Sequence, residues 1–213
     1  MGLRSGDPLP TEAELAEVLG VSRGTLREAL KQLQALQIIE TRHGTGMFIA
    51  PFSLTPLVNG LVFHGKIAQP QEAVEHLQQL AEVRALLELQ LIRRVAVDVD
   101  AQGLARIRSA FEVLAGVTTG ALEFDDADLA FHAALYRDLN NSLVLDLVTA
   151  FWEVLRMLRP RLADTFDDHE DAVEKHRAIL EAIEAHDPDA AEAAMRAHFE
   201  GTLEWLSSGT VDS

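Results

Sequence analysis

From residue 54 to residue 207 the apolar residues of this chain recur at helical spacing almost without a break. The stretches lie near 54–64, 71–98, 100–116, 121–139, 142–164, 168–186 and 188–207, so most of the chain is committed to an all-α bundle of six or seven helices. Punctuation supports this. Asp187 before Pro188 gives a cap and a first-turn proline, and Asp167 with Glu170 has capping-box spacing.

Residues 11–49 have a different texture: helix, turn, helix, then a short β segment. Pro51 to Pro56 follow as a Pro/Ser/Thr connector. We expect a first domain over residues 1–50, a connector with a short helix over 51–69, and a helical domain over 70–207. Charge divides the same way. The formal net charge of −16 would argue against nucleic acid, yet residues 1–50 hold five Lys/Arg against six Asp/Glu, and residues 51–213 hold thirteen against twenty-eight. The acidity belongs to the larger part. The chain has no cysteine, which removes disulfides, thiolate metal sites and cysteine nucleophiles and makes a reduced, cytoplasmic setting the simpler expectation. Its apolar runs are shorter than the roughly 20 residues that cross a bilayer, so no membrane partner is expected.

In the first domain, Thr11 and Glu14 have capping-box spacing, Leu15, Val18 and Leu19 make an apolar face, and Gly20 can end the helix. A second helix restarts after Ser22, burying Leu26, Ala29, Leu30 and Leu33 and leaving Ser22, Arg23, Thr25, Arg27 and Lys31 at its start or on polar sides. A short, basic-tipped second helix of this kind can enter the major groove of DNA. The segment IIETRHGTGMFIA reads as two short strands about a Gly44-Thr45-Gly46 tip, with Arg42 and His43 beside it. That is a wing, suited to a minor-groove or phosphate contact.

The motifs LPTEAELA, LGVSRGTLREAL and GTGMFIA, spanning about forty residues, resemble the GntR family of winged-helix regulators. The resemblance implies phosphate and base contacts from Ser22, Arg23, Thr25 and Arg27, and groove contacts from His43 and Gly44. Ala13 stands where the family commonly carries arginine, and the family's first helix should precede the LRSGD segment, where only a few residues stand. The expectation is therefore that this helix is missing from the chain or lies upstream, leaving the face of Leu15, Leu19 and Leu30 partly uncovered.

In the helical domain, Asp128 and His132 share a helix face with Phe124, Phe131, Leu135 and Leu139. His176 is aligned with Val173, Ile179, Leu180 and Ile183, and His198 with Ala191, Ala194, Met195 and Leu203. Three imidazoles and a carboxylate thus face a core from three helices. Burying them unpaired costs several kcal/mol, roughly. A divalent cation would satisfy all four; so would separate core hydrogen bonds, with Asp128 and His132 as an intrahelical pair. His64, His76, His169 and His186 lie nearer helix ends or polar faces and read as surface residues.

The segments DLAFH, HRAILEAI and MRAHF resemble the FCD effector domain of the FadR subfamily, over residues 70–207. The resemblance favours the metal, and a set of three neutral nitrogens and one carboxylate suits Zn, Ni, Mn or Fe with positions left open for a small carboxylate effector. It also implies Arg84 as a cavity arginine able to take that carboxylate through two hydrogen bonds. The plainer reading of Arg84 is an i,i+4 pair with Glu88 on a solvated face. Asn141, at a helix junction, is a further candidate for the cavity wall. The expected function is a regulator of transcription, by repression, that binds double-stranded operator DNA as a homodimer and responds to a small organic acid. Two other classes stay open: a metal-dependent enzyme, although no P-loop, nucleophile elbow or dinucleotide motif is present, and a helical ligand-binding protein that no longer binds DNA.

Overall fold

A computed structural model describes residues 2–117, 121–158 and 169–208. The chain forms two compact units that divide between Asn59 and Gly60.

In the first unit, α1 (Glu12–Leu19) begins at Thr11, whose side chain caps Glu14 N–H while Glu14 reaches back, and it stops at Gly20 in the left-handed region, φ 65°. Helix α2 (Arg23–Ala35) begins at Ser22, which accepts from Thr25 N–H, and buries Leu26 and Leu30. Strands β1 (Ile39–Arg42) and β2 (Gly46–Ile49) pair antiparallel, Ile39 against Ile49. Leu26, Leu30 and Ile39 form the small core, with Leu9, Leu15, Leu33, Met47 and Ile49 against it. Leu30 is covered, contrary to expectation, because the wing packs over it. Val18 and Leu19 are 80% and 60% exposed, so the outer part of the α1 face meets solvent.

One pairing was not anticipated. Residues 6–9 run along the free edge of β2: Gly6 N–H donates to Ile49 O (2.8 Å), Ile49 N–H to Asp7 O (2.9 Å) and Leu9 N–H to Met47 O (2.8 Å). A proline in an edge position, Pro8, needs no ladder donor there.

The second unit is helical throughout its described residues: the rest of α3 (Thr55–Ile67), then α4 (Pro70–Asp98), α5 (Ala101–Ala115), α6 (Ala121–Tyr136), α7 (Ser142–Leu158), α8 (His169–Glu184) and α9 (Pro188–Ser208). Asp187 Oδ1 accepts from Asp189 N–H and Ala190 N–H, so this start is capped as expected. Asp167, of the other expected cap, and residues 159–164 lie outside the described residues. Helix α4 packs along α9 and also meets α6, α7 and α8. Their shared core holds Ile92, Ile107, Phe131, Val148, Ile179 and Met195, each all but inaccessible. Buried among these apolar side chains are Arg84, Glu88, Asp128, His132, His176 and His198, an expensive set to desolvate without a purpose.

Candidate metal centre and nucleic-acid face

His132 on α6, His176 on α8 and His198 on α9 are brought together, with one ring nitrogen from each lying within 4.8 Å of the others. Each ring is oriented by its surroundings. His176 Nδ1 lies 2.7 Å from Ala172 O, one turn back on α8, and His132 Nδ1 lies 2.6 Å from Glu88 Oε2. Both partners are acceptors, so both Nδ1 atoms donate, and Nε2 is the atom that carries the lone pair in the neutral form of each ring. Those Nε2 atoms are buried without a hydrogen-bond partner, as is Asp128 Oδ1. Asp128 Oδ1 lies 2.5 Å from His176 Nε2 and 3.5 Å from His132 Nε2. When the ring is neutral with its proton on Nδ1, lone pairs face each other across 2.5 Å, and a cation between or beside them takes the part that a second ring proton would otherwise play.

The electrostatics agree with a ligand set. Burial, and then the neighbouring His176, His132 and Arg84, push the His198 pKa well below its ordinary 6.5, leaving the ring neutral. Burial alone would raise the Asp128 carboxyl, but His176, His132 and Arg84 outweigh it and hold the pKa below its usual value. A neutral His198 and an ionised Asp128 are in the donor forms that Zn, Ni, Mn or Fe require.

Arg84 and Glu88 do pair, but not on a solvated face: both are buried, and the Arg84 Nε donates to Glu88 Oε1. The reason is position, since α4 lies against four other helices. Glu88 also accepts from the Tyr136 hydroxyl at 2.7 Å. Burial would raise its pKa, yet Arg84 and His132 drive it far below the carboxylate range. The Arg84 guanidinium lies over Trp152 at 4.9 Å and Phe199 at 5.2 Å, and its Nη2 is buried without a partner. Arg84 lines a cavity between α4, α7 and α9. Asn141 is exposed at the α6–α7 junction and does not line it.

Among the other histidines, His64 and His186 are exposed. His186 Nδ1 reaches Ala96 O at 2.9 Å. His76 departs from the surface reading. It is half-buried, its ring is 5.1 Å from that of His64, and its Nε2 is enclosed without a partner because α3 folds beside it. The His169 side chain lies outside the described residues.

In the first unit, Ser22, Arg23, Thr25, Arg27, Lys31, Arg42, His43 and Gly44 are all exposed. The Ser22 and Thr25 hydroxyls are 2.8 Å apart at the start of α2. Three of the cations have acidic neighbours: Arg27 with Glu12 at 2.8 Å, Lys31 with Glu28 at 2.9 Å and Arg42 with Glu40 at 2.6 Å. Arg42 also lies over Phe48, 4.3 Å from the ring centroid. Gly44, φ 73°, makes the turn of the wing at a conformation that favours glycine.

Sequence reasoning missed Glu88 as the holder of His132, and Tyr136 beside it. The available signal was the four-residue spacing of Arg84 with Glu88 and of His132 with Tyr136, which puts each pair on one helix face.

Comparison with known proteins gives two matches within the chain: residues 2–49 match the family "Bacterial regulatory proteins, gntR family", and residues 79–201 match the FCD domain. The chain is 31% identical to the HTH-type transcriptional regulator LutR of Bacillus subtilis (strain 168), over 96% of this chain and 94% of that protein. It is 29% identical to the galactonate operon transcriptional repressor of Escherichia coli (strain K12), over 89% of this chain and 82% of that one. Among solved structures it resembles Streptococcus agalactiae GntR, with a TM-score of 0.69, 27% identity and coverage of 95% and 91%.

Proposed function

The chain belongs to the GntR family of bacterial transcriptional regulators, in the FadR-like subfamily that carries an FCD domain, and on that premise we propose that it is a repressor controlled by a small carboxylate bound beside a metal ion. Its relatives are regulators rather than enzymes.

The observation that carries the reading is the convergence of His132, His176 and His198, with Asp128 Oδ1 beside the first two, where His132 Nε2, His176 Nε2 and Asp128 Oδ1 are buried without a hydrogen-bond partner. In this reading these four residues hold one divalent ion, Zn, Ni, Mn or Fe. When bound, the ion supplies a positive charge and open coordination positions to an anionic ligand. Glu88 fixes the His132 ring, Ala172 O fixes that of His176, and Arg84 offers its free Nη2 to the effector carboxylate.

Operator recognition falls to the first unit. The start of α2, with Ser22, Arg23, Thr25 and Arg27, enters the major groove, while Lys31 meets phosphate and Arg42, His43 and Gly44 of the wing meet backbone or minor groove. The domains assigned to these tasks are residues 1–50 and 70–207, joined by 51–69. The regulator acts as a homodimer reading two half-sites in the cytoplasm. Support comes from α4, where Val83, Leu86, Leu87 and Val97 form an exposed apolar stripe, 38% to 72% accessible in the single chain, which a second copy would cover. Repression is favoured by relatives named as repressors.

The test joins the two halves. Purified protein is analysed for metal, its operator fragments are recovered by selection from genomic DNA, and binding is titrated against candidate carboxylates. One ion per chain and carboxylate-dependent release of operator support the reading. A protein that takes up no Zn, Ni or Mn in calorimetry overturns the metal part, and operator binding indifferent to every carboxylate overturns the effector part.

A further inference from the structure

A glycine inside a helix weakens it relative to alanine, so its presence asks for a structural reason. Two helical glycines of the second unit have one: a Cβ on Gly65 would run into the Leu158 side chain, and a Cβ on Gly103 into the Asp138 carboxylate. Gly24 has none. It lies exposed in the first turn of α2, at a φ outside the left-handed region, and an added Cβ would meet, among the described residues, only the Ser22 Oγ at 3.7 Å, an ordinary contact. The start of the helix does not depend on it either, since Ser22 Oγ accepts from Thr25 N–H at 3.1 Å and supplies the cap. Gly60 is equally open, but it stands in α3, where the two units divide. The fold of the first unit thus accepts a methyl group at position 24, and the space that the methyl would fill lies on the outer face of the turn that carries Arg23 and Thr25.

We infer that Gly24 is a specificity-determining residue of operator recognition, whose bare Cα leaves the space in which the C5-methyl of a thymine sits. The inference rests on the reading of α2 as the recognition helix and adds which base edge faces its first turn. A helix that enters the major groove by its N-terminal residues presents them to base edges. Among those edges the thymine methyl is the group that projects into the groove as bulk and offers no hydrogen bond. Its fitting neighbour is a small apolar surface. Between the polar side chains of Arg23 and Thr25, the Gly24 Cα is that surface. A Cβ there would compete with the methyl for the same volume and hold the turn away from the groove floor.

The experiment uses the full chain and an operator duplex recovered by selection with the wild-type protein. Gly24→Ala is expected to weaken operator binding on the order of tenfold, the scale of one mismatched base pair. The slope of affinity against salt should not change, because no phosphate contact is lost. The melting temperature should be no lower than that of the wild type, since alanine is the better helix former. Thymines of the operator are then replaced one at a time by deoxyuracil, which removes only the methyl. At one thymine the replacement should restore the binding of Gly24→Ala to within a few-fold of the wild type. A variant that binds the operator as tightly as the wild type, or one that is weakened and rescued by no deoxyuracil, overturns the inference and leaves α2 standing as the recognition helix. If the wild-type protein prefers no recovered fragment over random duplex, the recognition reading itself falls, and this inference with it.

Discussion

Glu88 Oε2 grips His132 by its Nδ1 at 2.6 Å, from a helix different from the one that carries the ring. The bond fixes which ring nitrogen keeps its lone pair, so α4 decides the donor that α6 presents. Outer partners of metal-bound histidines commonly matter about 10- to 100-fold in affinity. Glu88→Gln preserves size but removes the charge that faces Arg84 and His132. It is expected to weaken Zn binding by that factor in a chelator competition assay. Chemical denaturation of the metal-free variant should also show a loss of about 3–5 kcal/mol, because Arg84 is left buried without its counter-charge. Unchanged Zn affinity would remove Glu88 from the site.

His176→Ala and His198→Ala are expected to abolish stoichiometric metal binding, measured by elemental analysis after dialysis. In the unaltered protein a chelator should lower the melting temperature. An ion that binds only the folded chain contributes about 2.7 kcal/mol at a hundredfold excess over its dissociation constant. His43→Ala, on the wing, should keep the metal and lose operator affinity.

On the DNA face, Arg23→Ala and Arg27→Ala should each weaken operator binding, on the order of 5- to 150-fold, with helical content unchanged. Arg27 is held by Glu12 at 2.8 Å, so DNA must first displace a carboxylate. Glu12→Gln is therefore expected to tighten binding a few-fold at low salt, with the gain fading as salt screens the pair. Gel shifts at several salt concentrations would read both effects, and wild-type affinity in the double arginine variant would refute the assignment of α2.

The metal-free protein should lose stability on acidification. The His198 pKa lies well below 6.5 in the folded chain, so the unfolded chain binds the proton more readily. Stability therefore falls as pH drops below about 6.5, the unfolded histidine value. Asp128 and Glu88 have depressed pKa values, and their contribution, present above about 4, is lost as pH falls through the lower folded values. Melting curves from pH 8 to pH 4 check the histidine part, and their extension to pH 2 checks the carboxylate part. A flat profile would mean that His198 is protonated as easily folded as unfolded.

Helix order was legible because apolar spacing reports which face is buried, and caps such as Asp187 with Pro188 are local chemistry. The inward direction of His132, His176 and His198 followed from the same spacing. Their company did not. That Glu88 reaches His132 depends on how α4 lies against α6, a tertiary fact without a local signature, and the buried setting of the Arg84–Glu88 pair had the same origin. The strand-like course of residues 6–9 was hidden for a related reason. Gly, Asp and Pro are residue types that favour turns, and it is β2, forty residues later, that pairs with Gly6 N–H, Asp7 O and Leu9 N–H. His76 showed the limit of judging exposure from one helix, since α3 covers it.

Residues 6–9 and β2 have a consequence for how the DNA-reading unit comes into being. Gly6 and Ile49 are hydrogen-bonded neighbours, so the helix pair is enclosed in a loop closed between residues 43 apart in the chain. Such a closure is a late, sequence-distant step in folding. On the ribosome, α1 and α2 can coil as soon as they emerge, but the strand that completes the wing waits until residue 49 is free of the exit tunnel. Synthesis that halts before that point yields the two helices without the pairing that ties residues 6–9 to β2.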